Sequence, residues 1–201
     1  MGTQPLKFGL VGAGPWGRVI IKTLSKFDDI ELVLLASSNS ESAKLVSSRC
    51  TISKDWKNVA GAKTIDGVII ATPPHTHAEI VRYAIASQNP VLVEKPLTPT
   101  VEEAKSLLDF SAAQDAIVHI NHTHLGHPAY RELKKRALGN GPIRSITSRA
   151  GDHGPFREDV SVLWDRGSHE IALCIDLLGE TPKSISIPRY DILPSEKGNF
   201  E

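Results

Sequence analysis

No long hydrophobic run occurs in this chain. Its longest apolar stretches are 4–8 residues, against the ~20 needed to cross a bilayer, so no membrane partner is expected. Net charge is also lacking. The 23 basic and 23 acidic side chains cancel, which leaves no basic footprint for nucleic acid or an anionic surface. Only Cys50 and Cys174 carry thiols, and their dissimilar contexts suggest reduced cysteines rather than a staple. The opening Met-Gly-Thr-Gln-Pro-Leu-Lys has no charged-then-apolar leader pattern. Repeats and low-complexity stretches are missing. The expectation is a cytoplasmic α/β protein whose 201 residues suffice for a real core.

What is present is a rhythm. Short apolar runs at 6–11, 30–36, 65–71, 90–93 and 116–120 read as buried strands. Between them lie helical patterns at 15–26, 40–47, 76–87 and 99–113. Strands alternating with helices imply βαβ units and a doubly wound parallel (Rossmann) sheet. After residue 121 the rhythm changes. A helix is expected at 128–138, an alternating strand at 143–150, a polar loop at 151–162, a helix from Ile171, a strand interrupted by Pro188 at 184–190, and a frayed tail. The division expected is a cofactor domain at 1–121 and a partial α+β domain at 122–201.

Gly12-Ala13-Gly14-Pro15-Trp16-Gly17 follows the first strand and opens a helix. Glycines there allow a tight turn, close approach of a pyrophosphate, and helix–strand packing, while the helix start offers free N–H groups. The context of strand, loop and helix is the one the pattern requires. A NAD site usually adds an acid at the end of the second strand for the ribose hydroxyls. Here that strand runs into Ser37, Ser38 and Asn39. Small donors tolerate a 2′-phosphate, with Lys44 nearby, so NADP is slightly favoured over NAD although no arginine marks the site. The same residues could instead form the turn and cap the next helix. Thr72, Pro73, His75 and His77 leave another strand and start a helix at a carboxyl end of the sheet, where ligands of doubly wound folds lie. With Glu94 and Lys95 at the next strand end they are candidate cofactor-binding residues, and His77 reads as partly structural. Glu94-Lys95-Pro96 closes the next strand. A lysine in that position could serve as general acid or base, or the tripeptide could be a plain strand-end turn.

In this order, Gly12-x-Gly14-x-Trp16-Gly17, Ala71-Thr72-Pro73-Pro74-x-x-His77 and Glu94-Lys95-Pro96 resemble the Gfo/Idh/MocA oxidoreductases. The likeness runs through 6–120 and on into His127-Pro128-Ala129-Tyr130. It implies an NAD(P)-dependent dehydrogenase of a sugar, polyol or related hydroxy compound. It also implies that Lys95 lies near the reacting carbon, often with a cis lysine–proline bond. Asp165 and His169 match the family's Asp-x-x-x-His. The resemblance therefore groups Lys95, Asp165 and His169 as catalytic, with histidine handling the substrate hydroxyl, lysine relaying or stabilising its proton, and aspartate orienting one of them. The bland alternative makes Asp165 a helix cap and His169 an exposed first-turn residue. Many members continue His-x-x-Asp, but Ala172 stands in that position here. His119, His122, His124 and His127 have a spacing that could suggest a metal; cleft lining is the reading taken, and no metal is expected. Relatives are longer, so either the second domain is shortened and finds a partner or a second copy, with a homo-oligomer through that domain expected, or the natural product is longer than this sequence. An NAD(P)-binding regulatory subunit is the alternative function, and a purely structural domain a weaker third.

Overall fold

A computed structural model describes residues 4–151, 161 and 163–187, with the backbone alone of 193–195 and 198–200. The chain divides into two compact units, Met1–Asn121 and His122–Glu201.

The first unit is built on β1 (Leu6–Val11), β2 (Ile30–Ala36), β3 (Thr51–Ser53), β4 (Gly67–Ile70), β5 (Val91–Val93) and β6 (Val118–Ile120). They form one sheet in the order β3-β2-β1-β4-β5-β6, and every pairing is parallel. Successive side chains on a strand point to opposite faces, and the core divides accordingly. Leu10, Leu35 and Ile69 pack on one side with Ile21. Val11, Ala36, Val68 and Ile70 pack on the other with Val59, Val81, Ala84 and Leu107. Ile21 belongs to α1 (Pro15–Leu24), whereas the second set comes from α2 (Lys57–Ala60), α3 (His77–Ala86) and α4 (Val101–Ala113). Helices thus cover both faces, which makes the sheet the doubly wound Rossmann arrangement. β3 and α2 were not anticipated: three residues of strand and four of helix are too short to carry a period.

The strand order reverses between β1 and β4. Beyond the strands, single hydrogen bonds continue the ladder: Gly12 N–H to Ala36 O at 3.0 Å, Ala71 N–H to Val11 O at 2.8 Å, Glu94 N–H to Ile70 O at 2.9 Å, and Asn121 N–H to Val93 O at 2.8 Å. They line up the carboxyl ends of five strands along one edge, where ligands of such sheets bind.

The second unit holds α5 (Thr123–Gly126), α6 (Pro128–Gly139), a π-helical turn at Leu163–Gly167 and α7 (Ser168–Leu178). α7 starts before the expected Ile171 and ends where Gly179 takes φ +73°, the left-handed conformation that stops a helix. Tyr130 on α6 donates to Asp176 on α7 at 2.6 Å, and Lys134 reaches the same carboxylate at 2.8 Å. The strand expected at 143–150 is not formed, and 184–187 likewise makes no ladder among the described residues. An extended segment becomes a strand only when a neighbour takes up its N–H and C=O groups, and none of the described segments does so. The tail, expected to fray, contains the backbone of a two-strand antiparallel ladder, β7 (Leu193–Ser195) with β8 (Gly198–Phe200). Most of the anticipated loop, 152–160, and the Pro188 end of the last candidate strand lie outside the described residues.

Candidate functional site

At the carboxyl edge of β1, β2 and β4 lies a cavity of about 760 Å³. Its floor is the glycine loop, whose three glycines meet three different demands. Gly12 has φ +101°, and a Cβ there would lie 2.5 Å from Ala71 O; the turn itself requires glycine. A Cβ on Gly17 would strike the Gly12 carbonyl, so the third glycine is needed for packing. Gly14 has an ordinary extended backbone, φ −67° and ψ −171°, and a Cβ there would meet nothing within 4 Å. Neither strain nor crowding in the protein calls for a glycine at this position. It lines the cavity at the start of α1, where Pro15 occupies the first turn without a side-chain cap. The N–H groups of the first helical turn have no intrahelical partner. A bare Cα beside such donors suits a pyrophosphate that must come close, so these residues fit a dinucleotide.

The wall at the end of β2 is Ser37, Ser38 and Asn39. Asn39 Oδ1 accepts from Glu41 N–H at 2.9 Å, and the Ser37 and Ser42 hydroxyls share a hydrogen bond of 2.7 Å. Both capping and cavity lining therefore occur, and Ser38 is the exposed hydroxyl of the three. Lys44 is ion-paired with Glu41 on the surface and does not line the cavity. Arg18 and Lys54 do, and sequence reading missed both. Arg18 follows Gly14 by one helical turn, a spacing that could have found it. Lys54 follows β3, which was too short to recognise. Trp56 and the acid Glu79 complete this part of the wall.

Thr72 and Pro73 line the cavity from the end of β4. His75, Trp16, Gly17, His77, Glu94 and Lys95 do not. His77 is fully buried and lies between two carbonyls, with Nδ1 3.0 Å from Pro96 O and Nε2 2.8 Å from Thr72 O; the neutral ring donates to one of them, according to its tautomer. Burial pulls its pKa below the ordinary 6.5, outweighing the carbonyls of Thr72, Pro96 and Leu97 and the nearby Glu94 carboxylate, which push the other way. Glu94 is nearly buried. Its Oε1 accepts from Trp16 Nε1–H and from Asn121 Nδ2–H at 2.6 Å. Lys95 is half-buried, and its bond to Pro96 is cis.

Asp165 and His169 lie in the second unit. Asp165 sits in the π-helical turn, its side chain 16% exposed, with Arg166 Nε 4.0 Å away. It does not cap α7: the cap position is Gly167, and no side chain bonds there. His169 is half-buried. Its ring makes edge-to-face contacts with His124, centroids 4.4 Å apart, and His122, 6.0 Å apart. The four-histidine run separates by role. His127 caps α6, accepting from Ala129 N–H at 3.2 Å, and His119 is exposed on β6.

Sheet order, glycine loop and cavity together define a Rossmann dinucleotide-binding protein. The chain belongs to the Gfo/Idh/MocA family, the oxidoreductase family with an NAD-binding Rossmann fold, whose model matches residues 6–122. It is 29% identical over 196 residues to inositol 2-dehydrogenase 4 of Saccharopolyspora erythraea, covering 93% of this chain and 58% of that protein. A crystal structure from Magnetospirillum magnetotacticum MS-1, carrying only the general name oxidoreductase, superposes with a TM-score of 0.91 at 42% identity, covering 98% of this chain and 64% of that one. The fold is shared with scyllo-inositol dehydrogenase of Lactobacillus casei, solved with NAD(H) and scyllo-inositol, at a TM-score of 0.72 and 18% identity, covering 88% of this chain and 57% of that one. The chain thus spans roughly six tenths of the length of these relatives.

Proposed function

We propose that the chain serves NAD(P)-dependent oxidoreduction at a CH–OH group of a sugar, polyol or related hydroxy or keto compound. The observation that carries this is Gly14, a glycine that the fold does not need and a close-lying pyrophosphate does. Residues 1–121 bind the cofactor, with Gly12, Gly14 and Pro15 at the phosphates, Ser37, Ser38 and Asn39 at the ribose, and Thr72 and Pro73 on the facing wall. Residues 122–201 supply the remaining side chains and an association surface. A dinucleotide held by these residues would supply hydride acceptance or donation at its nicotinamide. In oxidation a His169 imidazole nitrogen takes the hydroxyl proton as the carbon loses hydride, and in reduction it returns that proton. Lys95 offers an N–H donor to the oxygen, and the Asp165 carboxylate orients the imidazole. The inositol dehydrogenase name of a relative supports this substrate class. A cytoplasmic location accords with two free cysteines, of which burial pushes the Cys50 thiol up to about 11.

NADP is the preferred cofactor in this reading. The Ser37–Asn39 wall carries no carboxylate, and Arg18 and Lys54 bring two cations to the same cavity, against the single acid Glu79. Titration with NADPH and NADH, followed by fluorescence, should show NADPH binding about ten-fold tighter, the scale of one charge-assisted contact. Lys54→Ala should remove most of that margin. Equal or tighter NADH binding would overturn the NADP assignment. A polyol and keto-sugar panel in the same cuvette tests the chemistry: cofactor binding without turnover on any member would favour an NAD(P)-binding regulatory subunit, the role that Ala172 suggests.

A further inference from the structure

Lys95 is gripped on both sides. The residue before it, Glu94, is nearly buried, and its single oxygen Oε1 collects two long-range donors, Trp16 Nε1–H and Asn121 Nδ2–H, the latter at 2.6 Å. The residue after it, Pro96, has its carbonyl 3.0 Å from Nδ1 of the fully buried His77, whose other nitrogen lies 2.8 Å from Thr72 O. The gripping side chains come from three separate places: the start of α1, the residue after β6 and the start of α3. None of these contacts follows from sheet pairing, which is complete through the backbone at Glu94 and Asn121. A buried carboxylate must have its lone pairs satisfied. An apolar residue at 94 would avoid that requirement, so retaining a carboxylate there calls for a reason beyond core filling.

We propose that Trp16, Asn121 and His77 are positioning residues that fix Lys95 by holding the two residues on either side of it. We propose further that Trp16, a member of the glycine loop, ties that grip to the cofactor-binding loop. The inference rests on the reading of Lys95 as a group of the hydride-transfer site. It adds a mechanical link within the first unit: a loop displaced by the dinucleotide moves the Trp16 indole, the indole moves Glu94, and Glu94 precedes Lys95. A group offered to a reacting oxygen has to be held to within a fraction of an ångström. A lysine has four flexible side-chain bonds, so fixing its backbone on both sides removes the part of that freedom that the chain can control.

The test uses the full chain and needs no substrate. The rate at which an amine-reactive reagent labels Lys95 is read by mass spectrometry, with exposed Lys105 as internal reference, while NADPH affinity and melting temperature are measured on the same samples. Glu94→Ala and Asn121→Ala should change Lys95 labelling by about three- to ten-fold, the range that one hydrogen bond's net contribution covers. Lys105 labelling should stay constant. Glu94→Gln keeps an oxygen for both donors and should restore the wild-type rate, a rescue that a purely structural role would not need. Asn121→Ala should leave NADPH affinity near wild type, whereas Trp16→Phe should alter both labelling and the change in labelling that NADPH induces. Unchanged Lys95 labelling in Glu94→Ala and Asn121→Ala, with only the melting temperature lowered, would overturn the proposal. A failure of the dehydrogenase reading appears elsewhere, as absent turnover in the wild-type chain.

Discussion

Gly14 and Gly17 stand three residues apart in one loop and answer to different constraints. Gly17 faces its own backbone, and a methyl there collides with Gly12 O. Gly14 faces open space in the cavity. Gly17→Ala should therefore destabilise the first unit by about 1–3 kcal/mol, as overpacking does, with cofactor binding lost alongside. Gly14→Ala should leave the melting temperature within about 2 °C, since neither clash nor strained φ arises. It should nevertheless weaken NADPH binding by at least ten-fold, about 1.4 kcal/mol, by holding the pyrophosphate away from the helix start. Calorimetry and fluorescence titration on the two variants separate the roles. A Gly14→Ala chain that binds NADPH like wild type would remove the argument for a close-lying phosphate. The glycine pattern was readable in the sequence, and so was the need for a bare Cα. Which glycines the fold itself needs was not, because that depends on what lies across the turn. The same holds for His77 and Glu94. Both look like cofactor-edge residues in the sequence, and only the partners Thr72, Pro96, Trp16 and Asn121 show the work they do inside the protein.

At the scale of elements, α6 and α7 are joined through Asp176. Its carboxylate accepts from Lys134 and from the Tyr130 hydroxyl, and these bonds hold it below the usual carboxylate range; partial burial works the other way. A carboxyl whose folded pKa is depressed adds stability above its unfolded value, near 3.8, and that stability is lost as pH falls through the folded value. The Tyr130 phenol is raised by burial first and then by Asp176, so it stays protonated and able to donate. Tyr130→Phe should cost about 1 kcal/mol at pH 7, at the low end for a bond to a charged group because the carboxylate is a third exposed. Its effect should shrink toward zero as pH drops below about 3.8. Urea unfolding at pH 7 and pH 3 reads the difference; an equal loss at both would show that the ring packing, not the carboxylate bond, is at stake. Nothing in the residue order announces this link, since 46 residues separate its ends. Elements with their own period were legible: β1, α1, β2, α3 and α4 lie close to where apolar spacing puts them. Elements that need a partner were not. The alternation at 143–150 is a strand pattern, but alternation specifies a face, not a neighbour, and the segment stays unladdered among the described residues.

For the whole molecule, charge and exposed apolar surface act together. Net charge is zero at pH 7 and the isoelectric point is near 7.1, so long-range repulsion between copies is weakest at neutral pH. In the second unit Ile185 and Ile187 are 80% and 59% exposed, and Ile171 on α7 is 50% exposed. The 184–187 segment that carries two of them makes no ladder among the described residues. A segment with alternating isoleucines and no ladder partner among the described residues offers its backbone groups to another strand. Self-association through this segment should therefore be strongest near pH 7 and weaken as the chain gains charge on either side. Sedimentation velocity over a range of protein concentrations should show a concentration-dependent larger species at pH 7, reduced at pH 9. A melting temperature that rises with protein concentration should accompany it, because assembly stabilises the folded state by mass action. Ile185→Lys with Ile187→Lys should leave a monomer at all concentrations while preserving NADPH affinity, since neither residue belongs to the cofactor cavity. The double variant also separates surface stickiness from specific pairing. Replacing Leu108, 67% exposed on α4 of the first unit, by lysine adds a charge and removes apolar area without touching that segment. If Leu108→Lys dissolves the larger species as effectively as the isoleucine pair does, association is generic and the strand-template argument fails.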